Sequence, residues 1–274
     1  MSSLSSKLFL TKFFKPSSVR SCQRSCTILK EQQEYYNKRS NEYDHWWYRI
    51  GLPQTFSNDQ HLIGRFDRSP ETNTQWFQEV KEAEKYFQQR LPKNKNIIEF
   101  ASGNFHISST YFIGTGIWTE KLLDSSPSSL TCVDGSKEMI QVSAKKLSSH
   151  PNWSKVSFLT SSAKLKAKYT QADLFQYKPS DNHDIVFFGF WMSHIPPEQF
   201  DSFFTQVVAK SLKPQGHVLF IDSLSTLDSS ADRKVNSEHI VEKRMLNDGS
   251  KYSIVKVRFE KKTVLINCNR FIII

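Results

Sequence analysis

Apolar residues recur at three- and four-residue steps between Asn73 and Arg90, at Trp76, Phe77, Val80, Ala83 and Phe87. This spacing predicts an amphipathic helix, which Leu91-Pro92 ends. Downstream the period changes. Short apolar runs at Asn96–Phe100, Leu130–Asp134, Asp184–Phe188 and His217–Ile221, with a weaker one at Tyr169–Ala172, predict strands buried on both faces. Between them, Trp118–Leu123, Lys137–Leu147 and Glu198–Leu212 read as helices, and Pro214-Gln215-Gly216 turns the chain into the last strand. Upstream, Glu31–Tyr48 is aromatic and charged, with Tyr35, Tyr36, Tyr43, Trp46 and Trp47, and reads as an N-terminal helix. Met245–Tyr252 reads as a hairpin around Asn247-Asp248-Gly249. Strands alternating with helices predict an α/β protein with a mostly parallel, Rossmann-like sheet flanked by helices.

Composition leaves that picture intact. With 274 residues, 38% of them hydrophobic and 23% charged, the chain can form one large domain or two small ones, and no apolar run reaches membrane-spanning length. Charge adds more. The net +10 suggests nucleic acid, yet Lys7, Lys12, Lys15, Arg20, Arg24 and Lys30 all precede the first acid. A second acid-free stretch holds Lys155, Lys164, Lys166 and Lys168, so the remainder is close to neutral and no nucleic-acid partner is expected. Residues 1–30, rich in Ser, Lys and Arg with Leu4, Phe9, Leu10, Phe13 and Phe14 interspersed, resemble a mitochondrial presequence. A disordered basic tail, with a cytoplasmic protein, is the alternative. Cys22, Cys26, Cys132 and Cys268 show neither metal-ligand spacing nor a disulfide framework, so no metal is expected and a reducing compartment fits.

The chemistry-bearing residues fall at strand ends, where ligands of open α/β sheets bind. The first strand leads into Glu99, Ala101, Ser102 and Gly103, with Gly114, Thr115 and Gly116 beyond. Glycines there let the backbone approach a ligand closely. Asp134, ending the second strand, can accept from both hydroxyls of a ribose or simply cap the turn at Gly135.

At these residues the sequence resembles the class I S-adenosylmethionine-dependent methyltransferases, from about Tyr35 to Tyr252. The family pattern E-x-A-x-G-T-G-x-W-T is matched by Glu99, Ala101, Gly103, Thr115, Gly116, Trp118 and Thr119 once an interruption is removed. The resemblance implies that Asp134 binds the cofactor ribose, that Met139 packs near the adenine, and that Asp173, in Gln171–Phe175, accepts from the adenine amino group. Leu174 and Phe188 complete the implied cofactor contacts. The block Asp184–Pro196 and the Leu212–Gly216 turn extend the match. The acceptor would lie near Phe190, Trp191, Ser193 and His194, with Tyr36, Tyr43 and Trp191 as substrate contacts. His194 could take a proton from a hydroxyl or amine nucleophile, or hydrogen-bond the backbone instead. Tyr36 and Tyr43 are candidate lid or cofactor-carboxylate contacts and fit a core role equally well. The fourth block lacks the Asn/Asp-Pro-Pro-aromatic signature of enzymes acting on nucleobase or glutamine amide nitrogen, so a small-molecule methyl acceptor is expected.

The resemblance breaks in places. Asn104–Gly114 separates Gly103 from Thr115-Gly116, and removing it restores Gly-Thr-Gly. Gly103-Asn104 and Ile113-Gly114 can be encoded with a splice donor and acceptor, as can the ends of Val156–Lys168 and, less clearly, Leu52–Gly64. From Val257 onward the chain no longer resembles the family's last helix and strands, so those final strands are expected to be missing or altered. The expected organisation is therefore a leader (1–30), an N-terminal helical lid (31–90), a methyltransferase domain (91–256) and an aberrant tail (257–274). A non-catalytic, methyltransferase-like protein that has lost cofactor binding is the alternative function. A nicotinamide dehydrogenase would need a G-x-G-x-x-G run that is not in the sequence.

Overall fold

A computed structural model describes residues 28–32, 34–39, 47, 70–100, 116–134, 137–158, 170–171, 174–175, 177–223, 241–257 and 271–273. Most of the expected leader lies outside them, as do Tyr43, Ala101, Gly103, Thr115 and Asp173.

The alternating pattern becomes a single sheet. Helix α1 (Pro70–Arg90) precedes β1 (Asn96–Phe100), followed by α2 (Ile117–Asp124), β2 (Ser129–Asp134), α3 (Lys137–Leu147), β3 (Val156–Phe158), β4 (Thr170–Gln171) and β5 (His183–Gly189). Then α4 (Pro197–Ser202) continues through a π-helical stretch, Phe203–Val208, into α5 (Ala209–Ser211) and β6 (Leu212–Ser223). A hairpin of β7 (Val241–Met245) and β8 (Lys251–Val255) forms a second, two-stranded sheet, and β9 (Phe271–Ile273) ends the order. The main sheet runs β3-β2-β1-β5-β6-β9, with β4 also on β2. Every pairing in it is parallel except β9 against β6.

Strand periodicity sorts the core into two faces. Ile97, Leu130, Cys132, Ile185 and Phe187 pack with Trp76, Val80, Ala83 and Phe87 of α1 and with Trp118 and Leu122 of α2. Ile98, Phe100, Val133, Val186 and Phe188 pack on the opposite face with Phe200, Phe203, Phe204 and Val207. Helix α1 thus belongs to the core of the sheet. Its buried stripe omits Phe77, which is 44% exposed because it lies one step off the Trp76, Val80, Ala83, Phe87 line. Widening the helix at Phe203–Val208 lets the adjacent pairs Phe203-Phe204 and Val207-Val208 all be buried.

The tail supplies one described strand to the sheet. Phe271–Ile273 pairs antiparallel with Ile221–Ser223, so residues of the tail cover the end of β6 rather than leaving that edge bare. The fifth strand is also longer than its apolar run, because Leu212 already pairs with His183 before a bulge returns His217 to Ile185. Gln215, in that bulge, has φ 65°.

The second interruption has a clear position in the register. Cys132 pairs with Phe158, and the next residue, Val133, pairs with Thr170. Two consecutive rungs are thus filled from either side of residues 159–169. Joining Phe158 directly to Thr170 should leave one continuous strand. The deletion variant is expected to fold, with a melting temperature within a few degrees of the full chain's, as read by circular dichroism. Loss of the cooperative transition would show that residues 159–169 are needed for the fold.

Candidate active site

Glu99 and Asp134 come together on one face of the sheet. Glu99 lies opposite Cys132 in the parallel pair, and Asp134 is two residues further along that face. Both acids are buried. Thr119, fully buried on α2, donates its hydroxyl to Glu99 Oε2 at 2.7 Å, and Cys132 Sγ lies 3.6 Å from the same oxygen. Gly116 caps α2 in the left-handed conformation, φ 60° and ψ 16°. A Cβ on Gly116 would strike Ser143 Oγ of α3, so a glycine is needed both for the dihedral and for the close approach.

Burial pushes the Glu99 carboxyl up from 4.5 to about 7, against the Thr119 and Cys132 hydrogen bonds and with some help from the Asp134 charge. Between these two values the native state holds a proton that the unfolded chain has lost. Native stability therefore falls as pH rises through this window, by up to about 3 kcal/mol from this group. Glu99→Gln should remove that slope. Urea denaturation at pH 5 and pH 7.5 is expected to show the variant gaining on the wild type by about that amount; a constant difference would place Glu99 in its ionised form throughout.

The residues that the resemblance places near an acceptor lie where β5 ends. Phe190 adopts φ 56°, and its N–H donates to the Ile221 carbonyl. Its ring meets Trp47, which also packs edge-on against Trp76 and Trp118. Trp191 is half-buried against Phe175. His194 is buried, with Nδ1 2.7 Å from the Val255 carbonyl and Nε2 2.8 Å from the Tyr36 hydroxyl. Nδ1 must be the protonated nitrogen, since a carbonyl only accepts, which leaves Nε2 for the Tyr36 hydroxyl. Burial holds His194 well below its usual value, and the Lys256, Arg244 and Arg39 charges act in the same direction. The imidazole is neutral at pH 7. Both nitrogens are engaged, so the backbone bond weighed from the sequence is formed, and any proton taken from an acceptor must pass through Tyr36 or await its displacement.

Residues 28–32 and 34–39 are helical and lie against the hairpin. Gln32 accepts from the Val255 N–H at 2.7 Å and reaches the His194 carbonyl at 3.4 Å, while Glu31 accepts from the Ser253 N–H. Tyr35 packs with Leu246, Tyr252 and Ile254. These contacts hold Tyr36 beside His194.

Two further residues that the resemblance implies as cofactor contacts are buried in the core. Phe188 is fully buried, stacked on Phe220 at 5.6 Å, and Leu174 packs in the same cluster. Met139 lies on α3.

A cluster absent from the sequence reading completes the site. Asp222, fully buried near the end of β6, accepts from Ser193 N at 2.8 Å and Ser193 Oγ at 2.9 Å. Lys256 Nζ donates to Ser193 Oγ at 2.6 Å and lies 3.7 Å from Asp222 Oδ1. An acid after the apolar run His217–Ile221 was the available signal. Among the described residues no group of His, Cys, Asp and Glu could hold a metal ion, and no helix is long and apolar enough to cross a membrane.

Residues 112–216 match the family described as "Methyltransferase domain". The match begins inside the interruption, leaving β1 and Glu99 outside it. The structure resembles DhpI in its complex with S-adenosylhomocysteine (SAH), with TM-score 0.55, 23% identity, and 86% of this chain and 83% of that one covered. It also resembles the complex titled "DhpI-SAM-HEP", with TM-score 0.56, 24% identity, and coverage of 86% and 85%. No curated protein sequence matches. Sheet order and these likenesses show the fold of the class I methyltransferases, whose methyl donor is S-adenosylmethionine (SAM), and residues 112–216 match a methyltransferase domain. The chain carries that fold and that domain.

The described residues fit such a cofactor. Asp134 supplies a carboxylate for hydroxyl donors, and left-handed Gly116 begins α2, whose Thr119 reaches Glu99.

Proposed function

We propose that this chain binds S-adenosylmethionine across the carboxyl ends of β1 and β2 and transfers its methyl group to a small molecule held near Trp191 and His194. The observation that carries the reading is the convergence of Glu99, Asp134 and left-handed Gly116 on one side of the sheet. That DhpI, of the same fold, is seen with SAM and with SAH supports it.

The cofactor supplies an electrophilic methyl on a sulfonium that already carries a good leaving group, so the protein must chiefly position and desolvate. Asp134 would hold the ribose. Trp191 walls the acceptor side, and residues 28–32 and 34–39, clamped through Gln32 and Glu31, close over it. Neutral His194 takes up an acceptor proton by way of the Tyr36 hydroxyl. Asn104–Gly114 interrupts the glycine motif, and the non-catalytic alternative rests on this interruption. Delivery to mitochondria by residues 1–30 belongs to the same proposal.

The test is a thermal shift of the full chain titrated with SAM. A ligand held only by the native state stabilises it by about 2.7 kcal/mol at a hundredfold excess over Kd, so a saturable rise in melting temperature is expected. A flat titration would favour the non-catalytic alternative.

A further inference from the structure

Glu99 is placed to do more than contact the cofactor. It is a buried acid on the carboxyl-end half of β1. Its register partners are Cys132 on β2 and Phe187 on β5, and Thr119 reaches it from α2. Phe187 is apolar, and the Cys132 thiol is itself pushed well up by burial and by the neighbouring acids, so it stays neutral. The charge that acts on Glu99 is the Asp134 carboxylate, of the same sign. Among the described residues, the charge acting on Glu99 is therefore that of an acid.

S-adenosylmethionine brings a fixed positive charge on sulfur, and the product S-adenosylhomocysteine is an uncharged thioether there. The rest of the two molecules is the same. A cation within about 4–6 Å of a buried carboxyl favours its charged form by about 10- to 1000-fold. We propose that Glu99 is the residue by which this site tells cofactor from product: it gives up a proton to solvent when the sulfonium arrives and regains one once the charge is gone. This rests on the methyltransferase reading above. The bound cofactor then faces a carboxylate, and the bound product faces a neutral acid that no longer attracts it.

Because the free acid titrates near neutral pH, the cost of ionising it falls as pH rises. The affinity of the full chain for SAM is expected to strengthen about tenfold between pH 6 and pH 8, and that for SAH less than about threefold. Calorimetry at pH 7 in buffers of different ionisation enthalpy should show about half a proton released with SAM and clearly less with SAH. Glu99→Gln, which keeps an acceptor for Thr119, should bind SAM with no pH dependence over this range. Thr119→Val removes a bond that favours the carboxylate, so it should move the transition to higher pH, and it provides the check should Glu99→Gln not fold. Equal pH dependence for the two ligands, or a Glu99→Gln or Thr119→Val profile identical to wild type, would overturn the proposal while leaving the methyltransferase reading standing. No SAM binding at any pH would overturn both.

Discussion

Replacing Asp222 with alanine is expected to destabilise the protein by about 3–5 kcal/mol, because it strips one partner from a buried charged cluster. Asp222 is fully buried and accepts from both the backbone and the hydroxyl of Ser193, while Lys256 lies 3.7 Å away. Without the carboxylate, the Ser193 N–H loses its acceptor and the Lys256 ammonium loses its opposite charge in a site that water reaches poorly. Asp222→Asn keeps an acceptor but not the charge, and should fall between the two. Ser193 stands between Trp191 and His194, so the loss also loosens the loop that carries these two residues. Urea denaturation measures the effect, and a loss below about 1 kcal/mol would show that the cluster is solvated in solution.

This cluster also shows where sequence reading ends. Strands β1, β2 and β5 were legible because both their faces are buried, which leaves an unbroken apolar run. Helices α1 and α3 were legible from period, and the hairpin from its turn, where Gly249 takes φ 83°. Contacts between distant segments leave no such trace. Gln32 is 223 positions from Val255, yet it accepts that residue's N–H. Likewise Lys256 follows a hairpin strand and gives no local sign that it will meet Ser193. The three residues of β9 are too few to carry a period, so the tail read only as unlike the family.

The split third strand had a signal of a different kind. Its weak run, Tyr169–Ala172, supplies only the two residues of β4, and Val156–Phe158, assigned from the sequence to the inserted stretch, supplies the rungs before them. The register therefore moves the boundary of the interruption three residues along the chain. A strand tolerates such an excursion because lengthening a loop costs about 0.6 kcal/mol per doubling, whereas losing two rungs beside β2 would expose its hydrogen-bonding edge.

Asp134→Ala should weaken binding of S-adenosylmethionine by about 2–4 kcal/mol, or about 30- to 1000-fold in Kd. The carboxylate ends β2 on the same face as Glu99 and is buried. Two ribose hydroxyls donating to it would each form a charge-assisted bond, worth about 1.5–3 kcal/mol before the lost hydration is counted. Alanine accepts neither. Folding should survive the change, since removing Asp134 also relieves its repulsion of Glu99, and circular dichroism checks this independently. For the same reason the variant's Glu99 should ionise at lower pH, so the affinity loss is best measured at pH 8, where Glu99 is largely ionised in both proteins. Asp134→Asn, with one acceptor oxygen and no charge, should lie between wild type and alanine. Calorimetry that finds the alanine variant binding as tightly as wild type would remove the ribose from Asp134 and leave it as the cap of the turn at Gly135.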